Sequence, residues 1–381
     1  MRKSINHIYL IILLATLSSV APMGVDTYLP SIPEISKYFN VSIEKIELSL
    51  SIFLIGFSIG QIFGGPISDR YGRRIGSITG LLGFSFFSFL IIFSSNIYEL
   101  WTYRFLEAFF GGIVVVNAAA SVRDRFHGKE AAKVFSLMGM VRSVAPMIAP
   151  FIGAFIIHFF TWKAVFVFLT IYPLVIAFLV YKDLNESFTY IKQNIFTSFK
   201  SVLTHKEAVK YMLVLGLSFG GFFILISKSS FIYIEHYNIS TDYFPFFFGI
   251  NFVVLMGLIR VNVRLLKSFT PKQIVKLALA IQILSGSLFI LNYETIPLAF
   301  TVILIASYMG VMAFVFGNCL ALAIEFFPKN AGVASSVIGV LQFGLGALVS
   351  SISLSFTDHT FLPIAISITI SSILAILLLR K

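Results

Sequence analysis

Charge is scarce in this chain: Asp, Glu, Lys and Arg together make up 12% of its 381 residues, where soluble domains carry about a quarter. Too little polar surface is encoded to keep it in water, and a mean hydropathy of +0.94 points the same way. Cysteine is nearly absent. Cys319 stands alone inside an apolar run, so no internal disulfide can form and the redox compartment is not legible from it. The six histidines, His7, His127, His158, His205, His236 and His359, show no paired metal-ligand spacing. No glycine-rich loop ends in Lys-Ser or Lys-Thr to cradle a phosphate. These absences argue against a metalloenzyme and against direct ATP drive, and no cofactor is expected. Apolar and polar residues do not alternate, which excludes a transmembrane barrel.

Long apolar runs take the place of what is missing. Twelve candidate spans lie near 6–28, 45–65, 75–94, 97–121, 132–158, 163–181, 209–233, 243–261, 273–292, 296–324, 331–356 and 361–379. Each is of a length to cross a hydrocarbon core about 30 Å thick, so the class is an all-α polytopic membrane protein set in a lipid bilayer. The start "MRKSINHIYLIILLATLSSVA" has the look of a secretory signal, but the apolar character runs on into further spans rather than into a soluble domain.

The basic residues orient the spans. With the N-terminus inside, 22 of the 28 Lys and Arg fall on the cytoplasmic side. The net charge of +11 is then a matter of topology, and nucleic acid is not an expected partner, because the charges are spread over loops rather than gathered on one face. The polar stretch from Lys182 to Lys210 divides the spans six and six. The expected organisation is a six-helix bundle over 1–181, a cytoplasmic linker with amphipathic helical character over 182–208, and a second six-helix bundle over 209–381. Duplicated halves of this kind place a site between rocking bundles in many transporters.

Within the spans lie Asp26, Arg104, Glu107, Arg142 and Lys228, each costly in a membrane unless paired or facing a polar cavity. Arg104 and Glu107 are three apart, on one helix face, and can pair. That pair has two readings: a static brace, or part of a proton site. Asp26 also has two, as a cap at the kink in "APMGVD" or as a proton carrier. Between spans 2 and 3, "GGPISDRYGRR" holds Gly65, Asp69, Arg70, Gly72, Arg73 and Arg74. Asp69 can sit at a helix N-terminus, Arg70 and Arg73 can pair with Asp124, and the glycines allow a tight turn and close approach. The plainer reading makes this loop only an orientation signal. In span 5, Gly139, Pro146, Pro150 and Gly153 share one helix face, smooth enough for another helix to approach and bent where the prolines remove hydrogen bonds.

These segments resemble a family. "GGPISDRYGRR" is similar to the loop signature of the major facilitator superfamily, and "VDTYLPSIPEI", "RFLEAFFGG", "APMIAPFIGAF", "FIYIEHYNIS" and "AGVASSVIGVLQFGLGAL" resemble its bicyclomycin-resistance (Bcr/CflA) subfamily of drug/proton antiporters. The resemblance implies the major facilitator fold. It implies a monomeric carrier of a bacterial inner membrane, both termini cytoplasmic, exporting small molecules in exchange for protons. It makes the 64–76 loop a gating latch facing the start of span 11, the span-5 segment the antiporter motif, and Arg104 a residue tied to proton coupling. Glu107 stands where a Gln is common. Arg142 and Lys228, read as two extra buried cations, favour an anionic or zwitterionic substrate. An importer on the same fold is the alternative, and a membrane-embedded enzyme or receptor would lack the latch and the smooth span-5 face.

Overall fold

The computed structural model describes residues 7–126, 128–186, 195–327, 331–354 and 360–379, and every regular element among them is helical. By their contacts the helices fall into two units, one of Met1–Val41 with Ile52–Gln193, the other of Ser42–Ser51 with Asn194–Lys381. The first unit holds α1 (His7–Leu17), α2 (Val20–Asp26), a 3-10 turn (Leu29–Ser31), α3 (Ile32–Phe39), most of α4 (Ile43–Tyr71), α5 (Arg73–Ile91), α6 (Ile97–Arg125), α7 (Gly128–Phe159) and α8 (Trp162–Asp183). The second holds the first turns of α4 with α9 (Ile195–Leu203), α10 (Lys206–Ser227), a π-helical turn (Phe231–His236), α11 (Phe244–Leu265) and α12 (Pro271–Asn292). It continues through α13 (Leu298–Gly310), α14 (Met312–Ile324), α15 (Ala331–Leu354) and α16 (Leu362–Leu378).

Local chemistry sets several ends. Asn96 caps α6 by accepting from Glu99 N, 3.0 Å, while the Glu99 carboxylate accepts from Ser95 N, 2.8 Å. Thr270 and Gln273 form a full reciprocal capping box at the start of α12, with Pro271 in the first helical position. Asn40 stops α3 in the left-handed conformation, φ 52°.

Ten described helices are long and apolar enough to cross a membrane. The pair Ile8–Leu17 and Val20–Phe39, bent by 43°, makes eleven if it is one span, and the 17-residue Leu362–Leu378 is a shorter apolar helix where the twelfth is expected. Three spans depart from their expected outlines. The first breaks at Ser18–Ser19, where Ser19 Oγ donates back to the Thr16 carbonyl at 2.6 Å, the kind of bond that bends helices. The seventh leaves α-helical winding after Ser227 and resumes as the π-helical turn. The tenth is interrupted at Val311, directly after Gly310. The expected loop after span 2 is almost entirely helix: α4 runs to Tyr71 and α5 begins at Arg73, leaving Gly72 as the whole connection. Of the expected linker, Lys182 lies in α8, Lys206 and Lys210 lie in α10, and α9 buries Val202 while exposing Lys200 and Leu203.

Candidate functional site

The most buried charges of the first unit lie on α6. Arg104 and Glu107 have fully buried side chains, and Nη1 of the arginine donates to Glu107 Oε2 at 2.6 Å. The same nitrogen donates to the Gly24 carbonyl at 3.1 Å. That carbonyl is one of the last of α2, which ends at Asp26 and so leaves its final carbonyls without helical donors. Ser88 of α5 donates to Glu107 Oε1, 2.6 Å. The guanidinium carbon lies 4.7 Å from the centre of the Tyr28 ring and 4.4 Å from that of Phe53, so its charge is held by π-faces as well as by the carboxylate. The polar bonding is nonetheless incomplete: Arg104 Nε and Nη2 are buried without a hydrogen-bond partner among the described residues. Asp26, also buried, leaves Oδ1 unpartnered, and no ion pair joins it to Arg104 among the described residues. Buried polar groups are ordinarily satisfied, so this region holds unsatisfied hydrogen-bonding atoms on a cation and on an acid.

Several residues of the 64–76 segment meet around the start of α5. Arg73 Nε donates to Asp124 Oδ2 at 2.7 Å, and Arg73 Nη1 donates to Ser68 Oγ at 2.7 Å. Glu186, which follows α8 and was not picked out from the sequence, caps the helix: its carboxylate accepts from Arg73 N at 2.7 Å and Arg74 N at 3.2 Å, an anion placed on free N–H groups at a helix N-terminus. Gly72, with φ +98°, brings the chain so close to Glu186 that a β-carbon would lie 2.6 Å from its carboxyl carbon. Arg74 donates to the Tyr181 carbonyl and Arg125 to that of Asn185. Arg70 does not share Asp124; it is exposed, its guanidinium 5.3 Å from the centre of the Tyr71 ring. Gly65 serves no close approach, since nothing lies within 4 Å of a β-carbon built there. Asp69 is in α4, but its side chain lies outside the described residues.

On α7, Pro146, Pro150 and Gly153 are buried. The face packs on α1, α2 and the 3-10 turn, and a β-carbon on Gly153 would collide with the Thr27 carbonyl. Gly139 does not belong to this packed face: it is exposed with open space around it. Arg142, expected to be a buried cation, lies mid-way along α7 with its side chain closely surrounded by protein yet accessible at the surface.

Lys228 is not a surplus cation. It caps the C-terminal end of α10, and its Nζ lies 2.8 Å from Glu47 Oε2. Glu47, buried on the second turn of α4, was missed although it falls inside the expected second span; an acid two residues into an apolar run was the available signal. Glu44 aside, the other buried polar side chains of the second unit among the described residues are neutral. Ser218 Oγ donates to Gln282 Oε1 at 2.8 Å, Gln282 donates to the Tyr308 carbonyl at 3.4 Å, Tyr308 and Ser372 share a hydroxyl contact at 2.9 Å, and Asn318 donates to Asn262 at 2.8 Å.

The family model of the Major Facilitator Superfamily matches residues 14–351. A bicyclomycin resistance protein homolog of Haemophilus influenzae is 32% identical over 377 residues, 96% of this chain and 94% of that one. An uncharacterized MFS-type transporter of Bacillus subtilis is also 32% identical, over 97% of this chain and 94% of its own length. Among solved structures, a D-xylose–proton symporter superposes with a TM-score of 0.73 at 19% identity, covering 97% of each chain.

Proposed function

The chain belongs to the Major Facilitator Superfamily, in its bicyclomycin-resistance-like branch, and from that premise we propose that this membrane transporter is driven by protons and exports small molecules by alternating access. The observation that carries the reading is the incomplete hydrogen bonding in the first unit: a buried acid, Asp26, with an oxygen lacking a donor, and a buried cation, Arg104, tied to Glu107 with two nitrogens lacking acceptors among the described residues. Such groups are costly in an apolar interior and are kept where charge must change hands. A relative named for drug resistance supports efflux as the direction. No cofactor is needed, since a proton gradient supplies the energy, and the working unit is a monomer.

The basic loops support a bacterial cytoplasmic membrane with both termini in the cytoplasm. On that reading α4 begins at the outer face and α10 ends there. Reporter fusions after Lys3 and at Lys381 are expected to read inside and one near Asn238 outside; an inside signal near Asn238 would overturn the topology.

The coupling is tested by Asp26→Asn and Glu107→Gln, each removing a titrating carboxylate while keeping its shape. In vesicles with an imposed pH gradient, both variants are expected to lose uphill export, on the order of tenfold or more, while retaining substrate binding. Full export by both would make the two carboxylates structural. Uptake in place of export by the unsubstituted protein would reverse the direction.

A further inference from the structure

The Glu47–Lys228 pair is a buried contact between residues 181 positions apart, and its polar bonding is incomplete. The side chain of Glu47 is fully buried and that of Lys228 nearly so, with 2.8 Å between Oε2 and Nζ. Glu47 Oε1 has no hydrogen-bond partner among the described residues. Two further carboxylates, Glu44 on the same helix and Glu235 on the π-helical turn, stand close enough to repel Glu47. The helices α15 and α16 carry no charged residue; α15 contributes the Ser350 hydroxyl, which accepts from Ser51 Oγ at 2.9 Å and lies 3.4 Å from Ser227 Oγ. His236, on the turn with Glu235, stacks on Phe361 with ring centres 4.5 Å apart.

The positive partner is well held where it is. Lys228 is the C-cap of α10, next to the helix's last carbonyls, which favour a cation, and its Nζ lies 5.2 Å from the centre of the Phe231 ring. The member of the pair free to change charge is therefore the carboxylate. Three residues beyond Lys228 the chain enters the π-helical turn, a winding of marginal stability that is frequent at functional sites.

We propose that Glu47 is a further proton-binding carboxylate of the transport cycle and Lys228 its counter-charge, so that protonation of Glu47 frees the first turns of α4 from the end of α10. The step is a simple transfer: Glu47 takes one proton from water, its charge falls from −1 to zero, and the ammonium of Lys228 keeps its own proton. A buried ammonium without an anion is unstable, and Lys228 then turns toward water or toward Glu235. Return of the proton to water restores the pair. This inference rests on the reading that the transporter is proton-driven. While Glu47 is ionised, Lys228 is neutralised and is no hook for anionic substrates.

The test uses full-length protein in lipid nanodiscs with spin labels at the exposed positions Ser42 and Ser240, Cys319 being buried. Label distances are recorded through a pH titration, and proton uptake is counted after a pH jump. The unsubstituted protein is expected to pass from a short to a long distance as pH falls. Glu47→Gln is expected to stay at the long distance at every pH and to take up one proton fewer. Should that variant fold poorly, the exchanged double variant Glu47→Lys with Lys228→Glu decides, and is expected to regain the pH-dependent distance. A wild-type distance titration in Glu47→Gln or a pH-invariant distance in a folded exchanged variant would overturn the proposal. A pH-invariant distance in the unsubstituted protein would do so too, leaving Asp26 and Glu107 untouched. Export that ignores the pH gradient in unsubstituted vesicles would instead overturn the proton-driven reading itself.

Discussion

Replacing Arg104 with alanine is expected to abolish uphill export and to cost about 3–5 kcal/mol of stability, the usual penalty for stripping one partner from a buried ion pair. Two losses combine. Glu107 would keep only the Ser88 hydroxyl as donor, with its second oxygen buried and unpaired. A gap would also open between Tyr28 and Phe53, whose rings flank the guanidinium. Arg104→Lys separates the two effects, since lysine restores charge but not a planar group that fits between rings. It should recover part of the stability and little of the export. Thermal unfolding in nanodiscs, read beside vesicle export, measures both; an unchanged unfolding midpoint for the alanine variant would mean that the pair contributes nothing to the fold.

Gly60→Val is expected to be as damaging for a different reason. Gly56, Gly60 and Gly64 recur every fourth residue on α4 and lie against the backbone of α6. A β-carbon at Gly60 would run into the Phe109 carbonyl, 2.8 Å from its carbon atom, and one at Gly56 would meet the Phe105 carbonyl. Gly112 makes the reciprocal approach from α6 to the Phe57 carbonyl. In an apolar solvent, helix association depends on this close packing because no hydrophobic drive separates protein from lipid. Valine at position 60 would force backbone apart from backbone, which exceeds the roughly 1–3 kcal/mol of ordinary overpacking. The yield of folded protein should fall severalfold or more. Gly65→Val, on the same helix with open space around it, should leave the yield and unfolding midpoint near those of the unsubstituted protein. Equal yields for the two variants would show that α4 and α6 can yield to each other.

The spans and the Arg104–Glu107 pair were legible in the sequence because both are local: hydropathy over twenty residues and a spacing of three on one helix face. Asp124 as the partner of Arg73 was legible for a related reason, being the first acid at the end of the neighbouring span. Glu47 and Glu186 were not. Their partners, Lys228 and the start of α5, lie 181 and 113 residues away in the chain, and nothing in composition or periodicity links such positions until the helices pack. The same distance explains the misreading of Lys228 as a surplus cation, since its counter-charge lay in a different span. Gly72 was legible as a turn, but not as the entire connection, because Pro66 and the basic run after it look like loop while the structure winds both sides into helix.

That one-residue connection has a mechanical consequence. A loop of several residues absorbs rotation by redistributing its torsions; Gly72 has one pair of backbone angles, already at φ +98°, and the Glu186 carboxylate clamps the first two amides beyond it. The joint has no slack. Torque applied to α5 is delivered to α4 within a single residue, so the two helices behave as one bent lever rather than as two rods on a string. Its arm extends the full length of α4 to the turn that carries Glu47.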